Sequence, residues 1–314
     1  MSGDVVKGIV IKGSRNIFTV RAGKKEMECR IKGKILKDME GFYNPLAPGD
    51  EVTIERRSPE ADTALILSAE RRKTLLARFN QKGQKPQALA ANIDLVLCVT
   101  SPASPPFRPR FIDRILVQTE VCGVPALVLC NKYDLCLNDP DVEERLEDYG
   151  RIGYGVLRVS AKTGLGMEKL REMIDGKKTA LLGQSGVGKS SVINALAPAL
   201  NMKTGSLNEK YDRGNHTTSL SVMLELPEVP GLPGGGKTFV IDTPGIRRMV
   251  PWGLGRGELV SCMKEFAPLE GRCSYGASCS HVTEPGCKIL EAVSAGVIHE
   301  DRYESFLRIQ NELE

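Results

Sequence analysis

Short apolar segments separated by turn residues make up the first 70 residues of the chain. The segments VVKGIVIKG, NIFTVRAG, MECRIKGKIL, PGDEVTIERR and ALILSAERR each have the length of a β-strand. A period of two places Phe18 and Val20 on one face of the second segment, and Val52 and Ile54 on one face of the fourth. The pattern predicts a five-stranded barrel of OB type with those side chains in its core. The alternating positions should face solvent: Ile17, Thr19, Arg21, Glu51, Thr53 and Glu55.

From about residue 92, apolar strands alternate with helical segments. The strands are IDLVLCVTS, PALVLCNKYD, VLRVSAKTG, TALLG and FVIDTPG. Helices are predicted from Arg110 to Cys122, near 141 to 149, from Met167 to Ile174 and after Lys189. Such alternation is typical of a mainly parallel sheet with helices on both faces.

The pattern divides the chain into three parts. We predict an OB-fold domain over residues 1–72, an α/β domain over 73–252 and a small helical domain over 253–314. Residues 73–91 are read as the segment that connects the first two domains. After Trp252 a cysteine-rich turn region precedes one helix from about Lys288 to the C-terminus. This tail is too small to build a core unaided, and a metal ion would supply the missing stability.

Charge and composition indicate the type of binding partner and the cellular compartment. The net charge of +4 hides an excess of +7 in residues 1–90, where 18 Lys and Arg face 11 Asp and Glu. Such an excess suits a phosphate-backbone partner, although a solvated basic face has the same composition. No run approaches the roughly 18 apolar residues that span a bilayer, and the segment MSGDVVKGIV lacks a signal-peptide core. We expect a cytoplasmic, monomeric protein without a membrane partner, in which the nine cysteines are reduced.

A complete phosphate-binding loop, GQSGVGKS, lies between the strand TALL and a helix. Its glycines let the backbone N–H groups turn inward to cradle phosphates at the helix N-terminus. Lys189 is expected to neutralise the β and γ phosphates, and the Ser190 hydroxyl to bind Mg²⁺. The predicted contacts of this segment are Gly183, Gln184, Ser185, Gly186, Val187, Gly188, Lys189, Ser190 and Ser191.

The sequence DTPG places a second phosphate-site element at the end of an apolar strand. Asp242 is expected to hold the magnesium ion through water, and the Gly245 N–H to meet the γ phosphate. A DxPG sequence alone is a weak signal. It becomes strong here because Asp242 follows Ser190 by 52 residues, beyond a segment of suitable length for a switch.

Two further motifs predict recognition of guanine. In NKYD, formed by Asn131, Lys132 and Asp134, the Asp134 carboxylate can accept hydrogen bonds from guanine N1–H and the exocyclic amine. Adenine offers no such donor pair, so it would leave a buried carboxylate unpaired. The sequence SAK, formed by Ser160, Ala161 and Lys162, should support the base from the other side.

The order of these motifs is unusual. Common GTPases carry the phosphate loop first and the base-reading motifs last, whereas here the base motifs at 131 and 160 precede the loop at 183. The domain is therefore circularly permuted, which folds tolerate because domain termini lie at the surface and often close together.

The succession NKYD, SAK, GQSGVGKSS, HTT, DTPG and a Cys/His cluster, preceded by a basic barrel, resembles the ribosome small subunit-dependent GTPases (RsgA, also called YjeQ). The resemblance covers essentially the whole chain, including GIVIKGSRNIFTV and AANIDLVLCVTS. It implies an OB-fold, a permuted GTPase domain, a zinc domain and a role in late assembly of the small subunit. Family members usually have Gly-Arg-His-Thr-Thr in the switch, and here Asn215 replaces the Arg.

Catalysis must proceed without the glutamine that positions water in many GTPases, because Ile246 occupies that place. His216 is the candidate to orient the water, the alternative being that it only packs or caps the switch. Thr217 or Thr218 should complete the magnesium shell, and the sequence does not choose between them.

The C-terminal cysteines have the spacing of a metal site. Cys273, Cys279, His281 and Cys287 form C-x5-C-x-H-x5-C, three thiolates and one imidazole for a closed tetrahedral zinc ion. The family usually has four residues between the first two cysteines, which leaves Cys262 as a substitute ligand. Separate buried thiols are the alternative, as expected for Cys29, Cys98, Cys122, Cys130 and Cys136.

The sequence thus predicts a switch that binds GTP or GDP with Mg²⁺ and one structural Zn²⁺, docks on the rRNA of the small ribosomal subunit, and leaves after hydrolysis. One alternative is a passive RNA-binding assembly factor with a vestigial GTP site. Another is a GTPase that acts on tRNA or on a protein partner.

Overall fold

The computed structural model describes residues 4–14, 16–33, 41–58, 60–136, 139–202, 220–229 and 236–313. Its N-terminal part is a closed barrel in which the strands pair in the order β1-β2-β3-β5-β4-β1. Phe18, Val20, Val52 and Ile54 are buried in its core, so the predicted alternation is confirmed. The barrel strands are β1 (Asp4–Ser14), β2 (Ile17–Ala22), β3 (Lys25–Ile31), β4 (Glu51–Arg56) and β5 (Thr63–Ala69).

The segment predicted to connect the first two domains contains a β-hairpin. Residues 75–91 form two antiparallel strands, β6 (Leu75–Asn80) and β7 (Lys85–Ala91). The turn between them has the sequence QKGQ, and Gln84 takes a positive φ of 48°. Because neither strand carries a clean period of two, the pattern did not reveal them.

The second part is the expected sheet, with strand order β10-β9-β8-β11-β13-β12. All neighbours in it are parallel except β12 and β13. Its strands are β8 (Leu95–Thr100), β9 (Ala126–Cys130), β10 (Gly155–Arg158), β11 (Lys178–Gly183), β12 (Val222–Glu225) and β13 (Phe239–Asp242). One register pair, Lys12 with Val222, joins β1 of the barrel to β12.

Helices cover both faces of this sheet. One apolar core lies under α1 (Pro109–Cys122) and α2 (Pro140–Arg151), and a second lies under α3 (Met167–Ile174) and α4 (Lys189–Leu196). The fold class predicted from the sequence is therefore confirmed, and the helix boundaries differ from the expected ones by no more than two residues.

The C-terminal part contains two helices where one was expected. They are α5 (Lys288–Ser294) and α6 (Glu300–Glu312). The single-helix prediction is wrong because Gly296 adopts a φ of 71°, which interrupts the helix, and the His299 side chain accepts a hydrogen bond from the Asp301 N–H to begin the next. This part packs on α1 through a core that includes Val117 and Phe306. Among the helices that the structure describes, none is long and apolar enough to cross a membrane.

Candidate active site

The predicted nucleotide motifs lie at one edge of the sheet because they follow the carboxyl ends of neighbouring parallel strands. The phosphate loop follows β11, DTPG begins at the end of β13, NKYD follows β9 and SAK follows β10. In the register, Gly183 of β11 lies beside Val99 of β8 and Leu181 lies beside Asp242 of β13. Open α/β sheets bind ligands at this edge.

The phosphate loop has the backbone that its glycines predict. Gly186 and Gly188 have φ values of 86° and 92°, in the left-handed region. A Cβ on Gly183 would lie 2.4 Å from the Val99 carbonyl oxygen, so no larger residue fits there. The buried Lys189 Nζ donates to the carbonyl oxygens of Gly183, at 3.0 Å, and Gln184, at 3.2 Å.

The remaining loop residues lie where the sequence placed them. Ser190 and Ser191 occupy the first turn of α4, Val187 is buried, and Ser185 is exposed. A Cβ on Gly245 would lie 2.8 Å from the Ser185 Cα, so DTPG packs directly against the phosphate loop. The two phosphate motifs are thus brought together although the chain separates them by more than 50 residues.

Asp242 is buried without a partner. Its side chain is 1% exposed, and neither carboxylate oxygen has a hydrogen-bond partner among the described residues. Burial raises the pKa of Asp242 to about 6, against the opposing charge of Lys189. Burial likewise lowers the pKa of Lys189, which the charge of Asp242 partly offsets. A buried carboxylate without donors fits a cation that binds it directly or through water.

The base motifs are joined to the phosphate loop and to each other. The Asn131 Nδ2 donates to the Val187 carbonyl at 2.9 Å, and its Oδ1 accepts from the Ala161 N–H at 3.1 Å. The Ser160 Oγ donates to Asp134 Oδ1 at 2.6 Å, which fixes that carboxylate. Asn131 therefore acts as the structural link that holds these loops at a fixed spacing.

Lys132 and Lys162 differ in their contacts. The Lys132 Nζ donates to the Gly186 carbonyl at 2.7 Å and to the Ser104 carbonyl, and its own φ is 59°. Lys162 is exposed beside the base motifs. The loop after β8 that carries Ser104 was not predicted as part of the site, although it leaves the same sheet edge as the other motifs and therefore could have been found.

The catalytic candidates His216, Thr217 and Thr218, together with Asn215, lie outside the described residues. Ile246, at the place of the usual glutamine, is 3% exposed and packs in the core beneath α1 and α2. Its side chain cannot orient a water molecule.

The cysteine cluster is assembled. Ligand atoms of Cys273, Cys279, His281 and Cys287 all lie within 4.8 Å of one another, and the four residues are buried. The Cys273 and Cys287 sulfurs are 3.8 Å apart, and the His281 Nδ1 lies 3.5 and 3.4 Å from them. A tetrahedral zinc ion with Zn–S near 2.3 Å and Zn–N near 2.05 Å requires edges of about 3.8 and about 3.6 Å. The donors and their spacing therefore fit zinc.

The other cysteines lie apart from this cluster. Cys262 is half-buried and is not among the four grouped side chains. Cys29, Cys98 and Cys130 are buried in apolar cores, as expected, whereas Cys122 and Cys136 are only half-buried against the core under α1 and α2. Burial raises the pKa of Cys29 to about 11, as expected for an inert core thiol.

A buried polar network joins the C-terminal part to α1 and α2, and sequence reasoning missed it. Arg302 of α6 is fully buried, and it donates to Asp113 Oδ1 at 2.8 Å and to both Glu265 oxygens at 2.6 and 3.0 Å. Asp113 also accepts from Tyr149 and Ser305. An aspartate inside the apolar helix segment FIDRILVQT was the available signal.

Comparison with known proteins agrees with this architecture. The family model described as RsgA GTPase matches residues 69–252, more than half of the chain. The protein named small ribosomal subunit biogenesis GTPase RsgA from Gemmatimonas aurantiaca is 38% identical over 98% of this chain and 97% of its own length. The protein of the same name from Chlorobaculum parvum is 36% identical over 99% of each chain.

Two solved structures share the fold. YjeQ from Thermotoga maritima is 30% identical, covers 99% of both chains and superposes with a TM-score of 0.73. YloQ, described as a circularly permuted GTPase, has a TM-score of 0.67 at 22% identity over 99% of this chain and 95% of its own. The permuted motif order, the five-stranded barrel and the Cys/His cluster agree with these matches: the chain belongs to the RsgA GTPase family and is a GTP hydrolase.

Proposed function

We propose that the sheet edge binds GTP with Mg²⁺ through the residues that the sequence singled out. The observation that carries this proposal is Asp242, a buried carboxylate that lacks a partner among the described residues and lies in the electrostatic field of Lys189. Lys189 would exchange its hydrogen bonds to two loop carbonyls for contacts with the β and γ phosphates. Ser190 would bind the magnesium ion directly, and Asp242 would hold it through water. The loop N–H groups at the N-terminus of α4 complete the phosphate site.

Asp134 selects guanine by accepting hydrogen bonds from the base, and the Ser160 hydroxyl orients its carboxylate. Ala161 and Lys162 support the base from the SAK loop. Lys132 donates a hydrogen bond to the Gly186 carbonyl and so holds the phosphate loop next to the loop that carries NKYD. The intact Lys189 and Asp242 geometry argues against a vestigial nucleotide site.

The small ribosomal subunit is the proposed partner. Relatives that align over nearly the whole chain are named for small-subunit biogenesis. The excess of positive charge in residues 1–90 lies in the barrel and the hairpin, where it suits an rRNA backbone. We place the protein in the cytoplasm as a monomer that acts late in subunit assembly. One structural zinc ion bound by the Cys/His cluster stabilises the C-terminal part.

Hydrolysis is proposed to depend on the docked state, with His216 orienting the attacking water and Thr217 or Thr218 completing the magnesium shell. Phosphoryl transfer needs positioning more than a strong base, so a neutral imidazole suffices. His216→Ala should lower subunit-stimulated turnover at least about tenfold, or about 1.4 kcal/mol, with GTP affinity nearly unchanged. Equal stimulated turnover in variant and parent would remove His216 from the mechanism.

Docking is tested by sedimenting the protein with purified small subunits in the presence of a non-hydrolysable GTP analogue or GDP. We expect retention on small subunits with the analogue and weaker retention with GDP. Large subunits and bulk tRNA serve as controls. Equal retention on tRNA or large subunits would favour a GTPase that acts on another partner. Equal retention with the GTP analogue and with GDP would show that the nucleotide does not control binding to the small subunit.

A further inference from the structure

A cavity of about 510 Å³ lies between the start of α1 and the segment that follows Gly245. Gln184 of the phosphate loop forms part of its wall and is the one residue of the nucleotide motifs among its lining residues, so the cavity adjoins the nucleotide site. Met249 and Asp301 contribute to the other walls. Five arginines line it: Arg108, Arg110, Arg114, Arg247 and Arg248.

Three of these arginines have carboxylate partners on α6. Arg110 pairs with Glu304, while Arg114 and Arg248 share Glu312, at 2.5 and 2.9 Å. These pairs join one side of the cavity to the C-terminal part, and the two glutamates offset part of the charge of the three arginines.

Arg108 and Arg247 differ from the other three. Both are exposed, and no ion pair to either is found among the residues that the structure describes. They come from different segments of the chain, since Arg108 is the residue before α1 and Arg247 lies two residues after Gly245. Asp301 is the one carboxylate among the lining residues, and it lies 3.7 Å from Arg145. The charges of Arg108 and Arg247 therefore stay unpaired among the described residues, which is typical of an anion site.

We propose that this cavity binds a phosphodiester group of an RNA backbone, held between Arg108 and Arg247. This inference rests on the proposed docking to the small subunit, which supplies the RNA. Guanidinium groups match phosphate oxygens through paired, charge-assisted hydrogen bonds. The opening to solvent admits a phosphate that belongs to a macromolecule.

The position of the cavity gives this contact a regulatory consequence. Arg108 immediately precedes α1, whereas Arg247 belongs to the segment continuous with Gly245, which packs on Ser185 of the phosphate loop. A phosphate held by both arginines fixes that segment relative to α1. Movement of the DTPG loop on loss of the γ phosphate would separate the two arginines and weaken the contact. If GTP strengthens RNA binding at this site relative to GDP, linkage requires that bound RNA strengthens GTP binding relative to GDP binding by the same factor.

The test measures small-subunit affinity of the full chain with a non-hydrolysable GTP analogue over a range of salt concentrations. In Arg108→Ala/Arg247→Ala, affinity should fall about tenfold, and the slope of log affinity against log salt should become less steep by about 0.7 to about 0.9, as for one lost phosphate contact. Lys169→Ala/Arg171→Ala is the matched control, because it likewise removes two positive charges, here from α3 on the opposite face of the sheet. GTP affinity without subunits should equal that of the parent and shows that the double variant is folded.

A photoreactive side chain identifies the group in the cavity. Phe107→p-benzoylphenylalanine retains both arginines and places the probe on the cavity wall. We expect cross-links to rRNA that are lost in GDP. Cross-links to a ribosomal protein alone would overturn the proposal, since the occupant would then be an acidic protein segment.

The remaining outcomes separate this inference from the proposed function. If the parent does not bind small subunits, the proposed function itself fails. If the parent binds and the double variant shows the same affinity and salt slope, only the phosphate site is refuted. A change in GTP affinity or turnover without subunits would assign the cavity to the nucleotide site and would also overturn the proposal.

Discussion

Removal of Arg302 should destabilise the C-terminal part and its packing on α1. Among the described residues, only the Arg302 guanidinium donates hydrogen bonds to the Glu265 carboxylate. The Glu265 side chain is only 6% exposed. Arg302→Ala would therefore leave a buried carboxylate without a counter-charge. Asp113 would retain Ser305 and Tyr149 as donors, so most of the penalty falls on Glu265.

The magnitude follows from the burial. Breaking a buried ion pair by removing one partner costs about 3–5 kcal/mol, whereas the stability of a whole domain is only about 5–15 kcal/mol. Arg308→Ala is the matched control on the same helix. Arg308 is 53% exposed and pairs with Glu304 four residues earlier, a contact worth about 0.3–0.5 kcal/mol.

The assay is urea denaturation followed by the fluorescence of Trp252, the single tryptophan of the chain. Its backbone N–H donates to the Gln118 Oε1 of α1 at 2.7 Å, so it reports the junction of the two parts. For a slope of about 2 kcal/mol per molar urea, the midpoint of Arg302→Ala should fall by about 2 M and that of the control by less than about 0.3 M. Nucleotide binding should persist in both variants.

A second variant separates lost charge balance from lost packing. Arg302→Met/Glu265→Gln removes both charges and fills the space, so it should recover at least half of the lost stability. Equal midpoints for Arg302→Ala and the Arg308 control would refute the reasoning, as would a double variant no more stable than Arg302→Ala.

Three further predictions concern the ligand sites. Asp134→Asn should weaken GTP binding and favour xanthosine triphosphate, because an amide donor then faces the 2-oxo group; unchanged preference in a competition titration would contradict this. Elemental analysis should find one zinc ion per chain, and Cys279→Ala should release it while GTP affinity stays within about twofold of the parent; carefully purified protein without zinc would refute the site. Since burial raises the pKa of Asp242 to about 6, Mg²⁺-dependent GTP affinity should fall as the pH drops through about 6, where the carboxyl gains a proton. The same shift stabilises the nucleotide-free fold below the unfolded pKa, near 3.8, and this stabilisation is lost as the pH rises through about 6. Equal GTP affinity on both sides of that pH would contradict a direct role for Asp242.

Local patterns predicted the elements well because each depends on nearby residues. Period-two alternation at Phe18 and Val20 identified the barrel strands, and apolar runs ending in motif residues identified the parallel strands. The motifs identified the candidate site residues, and their order predicted the circular permutation. The structure brings these motifs together because the carboxyl ends of parallel strands share one edge. Gly296 shows where the patterns failed, because a single left-handed residue divides a helical segment in two.

The features that were missed depend on contacts between distant parts of the chain. The Arg302 network joins residues almost 190 positions apart, so no local pattern reveals it. The arginine-lined cavity combines the start of α1, the DTPG segment and α6 in the same way. Only the folded chain brings these groups together, and a charged residue within an apolar helix face was the single sequence signal.

The proposed function predicts that the small ribosomal subunit accelerates GTP hydrolysis by this chain. The most direct measurement is the rate of phosphate release from GTP at fixed enzyme concentration, without subunits, with purified small subunits and with purified large subunits. We expect small subunits to accelerate turnover at least about tenfold, which corresponds to about 1.4 kcal/mol of barrier, and large subunits to leave it unchanged. Turnover that is the same in all three reactions would contradict a GTPase function on the small ribosomal subunit.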